Sequence, residues 1–368
     1  MSSRATVFRA LTAALCLAVV GAHALAAPRA SRDTRAAERF AADVDSLSQA
    51  AHIPGLSVVV LRDTSVVLAR GFGYADLEQH IAATPETPYN IASVTKTMSA
   101  VVAMKLVELK LLDLDRPMSS FDGFDEYCKD SRERGGIFFR DFECDSQVIT
   151  LRNILSMSAN GTPGTRFWYN PVAYSWASRP MMQVAKQPFS ELVAKYVFEP
   201  AGMTRSARIH RKLPLRADLA ADLAVPYHTD STGAFARSEP PSPQGDGAAG
   251  GVISTVMDIA RFDIALTRGR LLKPASRKAM WSPTHTPAGK WLPYGIGWFV
   301  TDYNGERLLW HTGLWEGQYS ALYLKVPARK LTLVLLANSD GLSWQTPLDG
   351  AEAQRSPFVR ALLAEFAK

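Results

Sequence analysis

Leu56-Ser57-Val58-Val59-Val60-Leu61 is an apolar run dominated by β-branched valine, the pattern of a buried strand. Arg62-Asp63-Thr64 supplies a turn, and Ser65 to Gly71 returns as a second strand, so the pair reads as an antiparallel hairpin. The other end of the chain holds matching segments. Ile296 to Tyr303, Tyr319 to Val326 and Leu331 to Ala337 read as strands, and Arg307 to Trp310 begins another that carries His311-Thr312-Gly313. A closing helix is expected from about Ala351 to Ala367, where Phe358, Leu362, Leu363 and Phe366 recur at helical spacing. Between the β-rich ends the periodicity is helical. Helices are expected from Ser93 to Leu112, stopped by Asp115-Arg116-Pro117, and over Leu151 to Met157, Tyr174 to Ala185 and Phe189 to Phe198. Thr255-Val256-Met257-Asp258 reads as a capping box opening a helix to about Leu266. Loops are expected at 238–251 and 282–293, and no repeat period is visible. The fold class is therefore α+β: one antiparallel sheet drawn from both chain ends, about 45–90 and 250–368, flanked by helices and interrupted by a mostly helical insertion at about 115–245.

The first residues read differently. Arg4 and Arg9 precede an apolar run from Ala10 to about Ala22, and Ala24-Leu25-Ala26 has the small residues a signal peptidase reads. Residues 1–27 are expected to be a secretory signal cleaved after Ala26 or Ala27, leaving 28–368 as the folded domain, periplasmic or secreted. The run is shorter than the roughly 20 residues a spanning helix needs. Removing it lowers the formal charge from +6 to +4, with the charges scattered, so nucleic acid is not expected, and no later stretch is apolar enough for a stable membrane span. Cys128 and Cys144 remain, and an oxidising compartment makes them a candidate disulfide whose geometry sequence does not fix. The scattered histidines show no metal-ligand spacing, so no metal or organic cofactor is expected.

Ser93-Val94-Thr95-Lys96 is an S-x-x-K tetrad at the head of an apolar helix. Taken alone it is weak, because a serine there also serves as an ordinary helix cap. Positions i and i+3 share a helix face, so the Lys96 amine can reach the Ser93 hydroxyl. Burial among Met98, Val101, Val102 and Met104 disfavours the ammonium and makes the amine usable as a base.

In this context the chain resembles the class C β-lactamase-like serine hydrolases, which include β-lactamases, D-alanyl-D-alanine carboxypeptidases, D-aminopeptidases and esterases. Pro54-Gly55-Leu56-Ser57-Val58, Gly71-Phe72-Gly73-Tyr74-Ala75-Asp76 and Ile91-Ala92-Ser93-Val94-Thr95-Lys96 carry the front half of the resemblance. Thr150 to Ser156, Glu199 to Met203, Ala249 to Thr255 and Tyr294 to Trp298 continue it, from about Ile53 to Asp340. The resemblance implies a β-lactamase/transpeptidase-like fold, Ser93 as nucleophile and Lys96 as its activator. Pro163-Gly164-Thr165-Arg166-Phe167 leads into Trp168-Tyr169-Asn170-Pro171, which places Tyr169 on the family's catalytic tyrosine and general base, with Tyr174 as the alternative. The asparagine of the family's Tyr-x-Asn is replaced by Pro171, while Asn170 sits one residue early as a candidate substitute. His311-Thr312-Gly313 stands where the family has Lys-Thr-Gly, and the Leu314 amide would join the Ser93 amide in an oxyanion hole. His311 would bond Tyr169 or attract a substrate carboxylate when protonated. Trp168, Trp310 and Trp315 are candidates for an acyl pocket or for core. The expected activity is acyl transfer to water from a small ester, amide or peptide. A carboxylesterase or broad hydrolase ranks first, then a D-alanyl-D-alanine carboxypeptidase, then a β-lactamase. A non-catalytic penicillin-binding or sensing relative is the alternative of another class.

Overall fold

The computed structural model describes residues 29–366 apart from Gly135, Pro243 and 344–349; the expected export signal at 1–27 lies outside the described residues. Helix α1 (Arg29–Ala50) is followed by β1 (Gly55–Arg62), β2 (Ser65–Asp76) and the short β3 (Ile81–Ala82). Near the other end come β4 (Phe299–Tyr303), β5 (Glu306–Trp315), β6 (Tyr319–Val326) and β7 (Leu331–Ala337). They form one seven-stranded sheet in the order β3-β2-β1-β7-β6-β5-β4. Its centre is the antiparallel pairing of the two chain ends, in register Leu56↔Ala337 through Arg62↔Leu331. β1 and β7 are buried almost throughout, as expected for strands covered on both faces.

On one face lie α1 and the C-terminal helix Pro357–Glu365, with the Phe40 and Phe366 rings edge to face at 6.3 Å. A second helical layer includes α2 (Thr95–Glu108), whose residues from Thr95 to Met104 are all buried. A helix enclosed on every side is apolar all round and shows no polar stripe, which is why its periodicity is weak. Short helices follow, among them α3 (Phe124–Arg134), Leu151–Leu155, Pro171–Trp176, Ser178–Ala185 and Phe189–Val193.

Some boundaries differ from the sequence expectation, each for a local reason. The helix expected from Ser93 begins with a 3₁₀ turn at Ala92–Val94, and its regular part stops at Glu108. The strand expected from Ile296 begins at Phe299, after the positive-φ Gly297. The strand expected to begin at Arg307 starts one residue earlier, at Glu306, and runs to Trp315, so His311, Thr312 and Gly313 lie within β5 as expected. Thr255 accepts from the Asp258 amide at 3.0 Å as a cap should, but the Asp258 carboxylate turns to Ser206 and the Arg205 amide instead of closing the box. Cys128 and Cys144 form a disulfide with Cα atoms 5.6 Å apart.

Candidate active site

Three segments converge at the N-terminus of α2. Tyr89–Asn90 forms a small sheet with Val252–Ser254 and Ala207–Arg208 and delivers the chain to the nucleophile candidate. The next residues turn sharply. Ala92 has φ +44°, a left-handed conformation that costs a non-glycine residue about 1–2 kcal/mol. The Asn90 side-chain carbonyl holds it, accepting the Ala92 amide at 3.0 Å and the Trp315 indole N–H at 3.1 Å. Gly313 lets β5 approach this turn, since a Cβ there would stand 2.3 Å from the Ile91 carbonyl oxygen.

Ser93 is half-buried within the 3₁₀ turn, and Lys96 follows on the first turn of α2, fully buried. The Lys96 Nζ lies 2.7 Å from the Ser93 Oγ and donates to the Ala249 carbonyl at 2.9 Å. It also sits 5.3 Å from the Tyr169 ring centre and 5.4 Å from that of Tyr174. Desolvation holds the amine well below the ordinary lysine range.

Tyr169 is buried, with its ring stacked on Phe299 at 6.0 Å. Its hydroxyl makes no hydrogen bond of ordinary geometry, although the Ser93 side chain is near enough to oppose the rise that burial imposes on the phenol. Tyr174 is buried too, but its hydroxyl donates to the Lys96 carbonyl at 3.2 Å and so ties backbone. Of the two tyrosines, Tyr169 is the one with a hydroxyl free of backbone.

Two expectations are corrected. Asn170 does not present its amide to a ligand. It is the N-cap of Pro171–Trp176, accepting the Ala173 amide at 2.9 Å, while its Nδ2 donates to Asn160 at 3.2 Å. The proline that displaced the motif asparagine starts this helix, and a helix start requires a cap. His311 reaches neither Tyr169 by hydrogen bond nor solvent. It is fully buried, its Nδ1 donates to the Thr312 carbonyl at 2.6 Å, and its Nε2 accepts the Tyr294 hydroxyl at 2.8 Å. Burial holds it well below the ordinary histidine range, so it is a neutral imidazole.

Thr312 donates to the Ala321 carbonyl at 3.1 Å. β5 loses its β4 neighbour after Trp310↔Phe299, so His311 to Trp315 leave one strand edge open beside the Ser93 turn. Leu314 and Trp315 are half-buried there, and Trp168 is half-buried under the Arg166 guanidinium at 5.4 Å. Trp310 is core, stacked on Phe299 at 4.2 Å. Asn90, Ala249 and Tyr294 are site residues that the sequence pattern does not mark as such. Asn90 lies three residues before Ser93, which is its one signal; the roles of Ala249 and Tyr294 arise from tertiary contacts with Lys96 and His311.

An antiparallel sheet joined to a helical layer, with an S-x-x-K pair at the head of a buried helix between them, is the architecture of the penicillin-recognising serine hydrolases. A family model described as Beta-lactamase matches residues 40–354, and the chain belongs to the β-lactamase family, a family of β-lactamase-fold serine hydrolases. It is 23% identical over 315 residues to Protein flp of Staphylococcus aureus (strain MW2), covering 79% of this chain but only 60% of that protein's length. Among solved structures, the octameric penicillin-binding protein homologue from Pyrococcus abyssi superposes with a TM-score of 0.71 at 23% identity, covering 89% of this chain and 76% of that one. EstCE1, a hydrolase with promiscuous acyltransferase activity, superposes with a TM-score of 0.66 at 18% identity, covering 91% of this chain and 100% of that one. Among the described residues no helix is long and apolar enough to cross a membrane.

Proposed function

We propose that the protein is an exported serine hydrolase that acts through an acyl-enzyme on Ser93, with small neutral esters as its preferred substrates. The observation that carries this reading is the fully buried Lys96 amine 2.7 Å from the Ser93 Oγ. A desolvated amine is neutral, and its lone pair accepts the serine proton as the hydroxyl attacks the carbonyl.

The proton inventory closes with two groups. Lys96 takes the Ser93 proton. Burial keeps Tyr169 a neutral phenol in the resting enzyme, so it first acts as an acid and protonates the departing alkoxide. The resulting tyrosinate, beside the Lys96 ammonium, then takes a proton from the water that attacks the acyl-enzyme. Lys96 returns its proton to Ser93. The oxyanion is assigned to the Ser93 and Leu314 amides. Support comes from the open β5 edge and from strand alternation: the Thr312 carbonyl is occupied by the His311 ring, and Leu314 two residues on faces the same way.

Two features rank esters above D-alanyl peptides and β-lactams. The position after Asn170 is a proline without a side-chain amide, and His311 brings no positive charge to meet a carboxylate. With 1–27 read as a signal, the enzyme is assigned to the periplasm or the medium.

Fluorophosphonate should label wild type and fail on Ser93→Ala; absence of wild-type labelling would favour a non-catalytic binding protein. Turnover of a short-chain p-nitrophenyl ester should exceed D-alanine release from a muramyl-type peptide, and dominant D-alanine release would reverse the ranking toward a carboxypeptidase.

A further inference from the structure

We infer that Arg208 is a positioning residue for the Ser93–Lys96 pair, acting through the glycine-rich segment Gly245-Asp246-Gly247-Ala248-Ala249-Gly250-Gly251. This rests on the assignment of Lys96 as the base. Arg208 ends the short strand Ala207–Arg208 and is 4% exposed. Its guanidinium points into the curl of that segment. It donates to the Gly247 carbonyl at 2.6 Å, the Gly251 carbonyl at 3.3 Å and the Gly245 carbonyl at 3.4 Å, and also to the Ile209 carbonyl. Asp246, from the same segment, lies 3.8 Å away as its counter-charge and accepts from the Ser190 amide and hydroxyl.

The segment it gathers is the outer wall of the Lys96 site. Ala249 supplies the carbonyl that takes a Lys96 N–H, and Ala248 takes the Ser99 hydroxyl one turn further along α2 at 2.6 Å. Gly251 has φ +94°, and a Cβ there would stand 2.0 Å from an Arg208 nitrogen. The missing side chain of Gly251 thus creates space that the guanidinium fills. A planar fork with five donors can hold several carbonyls at once; an ammonium, a point donor on a flexible stem, holds fewer. Glycine-rich backbone has little rigidity of its own, so the orientation of the Ala249 carbonyl depends on this clamp. When it loosens, water reaches the Lys96 amine and restores part of its affinity for a proton.

The test is the pH dependence of fluorophosphonate labelling, which requires no knowledge of the natural substrate. Wild type should show an acid limb, where Lys96 becomes protonated. Arg208→Lys, which keeps the buried charge, should fold, label about tenfold more slowly and have its acid limb about one pH unit higher. Arg208→Met should be slower still, about 100-fold, the scale of a small misplacement of a reacting group. An Arg208→Lys variant with wild-type rate and limb, or one whose losses follow only its folded fraction with the limb unmoved, overturns the inference. Arg208→Lys decides between these outcomes even if Arg208→Met fails to fold. Failure of wild type to label at Ser93 would instead remove the proposed function beneath it.

Discussion

The Tyr294 hydroxyl donates to the His311 Nε2 at 2.8 Å, closing the one ring nitrogen that a protonated histidine would have turned toward a ligand. The residue that replaces the family's motif lysine is therefore a buried, neutral strand component. A carboxylate on the acyl group of a substrate finds no cation there. The expected outcome is a kcat/KM about tenfold or more in favour of a neutral acyl ester over its free-carboxylate counterpart. Because His311 is held well below the ordinary range, that ratio should stay flat from about pH 8 to about pH 6, the window in which an unperturbed histidine gains its charge. A ratio that collapses as the pH falls through that window would show that His311 does become charged.

Lys96 sets opposite demands on activity and stability. Its folded-state pKa lies well below the ordinary 10.5, so at neutral pH the unfolded chain carries an ammonium that folding must deprotonate. Stability should rise with pH toward the unfolded value and fall as pH decreases below it. Lys96→Met should therefore raise stability at pH 7 by about 1–2 kcal/mol while abolishing labelling, and the gain should shrink as pH approaches the unfolded value. Lys96→Arg, which cannot deprotonate, should be inactive and less stable than wild type. Chemical denaturation at several pH values checks both.

How much of the fold and site is legible in the sequence depends on the range of the interactions. β1, β6 and β7 announce themselves because burial on both faces demands apolar, β-branched runs such as Val58-Val59-Val60. The pair Tyr89–Asn90 does not, because a two-residue strand is defined by its partner Val252–Ser254 and carries no periodicity of its own. Ser93 and Lys96 are readable as a spacing on one helix. The side chain of Asn170 suits two tasks, ligand binding and capping, and the proline beside it decides for the cap. His311 requires knowledge of Tyr294, which is distant in sequence and adjacent only after the sheet forms.

Asn170 supplies a separate test, since its side chain joins a cap to Asn160. Asn170→Ala should destabilise by about 1–2 kcal/mol through loss of the cap alone. Asn170→Asp keeps an acceptor for the Ala173 amide but sets a buried carboxylate oxygen against the Asn160 Oδ1, so it should recover only part of that loss. KM for an ester should change little in the aspartate variant; a large rise would return Asn170 to the substrate-binding residues. Thermal melts and steady-state kinetics on the same preparations decide it.

The Cys128–Cys144 bridge bounds a segment that Asn160 grips through the Phe138 and Arg140 carbonyls, both at 2.9 Å. Asn160 in turn accepts from Asn170, next in the chain to Tyr169. Reduction should lower stability by about 3 kcal/mol, the loop-closure figure for a loop of this length. It should also slow ester turnover, as the backbone around Tyr169 loses one of its anchors. Melting and turnover compared before and after dithiothreitol measure both effects, and unchanged turnover in the reduced, still-folded enzyme would uncouple the bridge from Tyr169.

The pairing of β1 with β7 also has a consequence for how the molecule comes into being. Val59 waits for Val334 as its partner, so the middle of the sheet is finished by the last strand among the described residues. β5, which brings Gly313 against the Ser93 turn, also belongs to that final portion. Contacts this distant in sequence form late and slowly. Ser93 and Lys96 can be neighbours on one helix before β5 is in place beside them. Until β7 docks, the apolar strand β1 is left without its central partner and is the part most in need of protection.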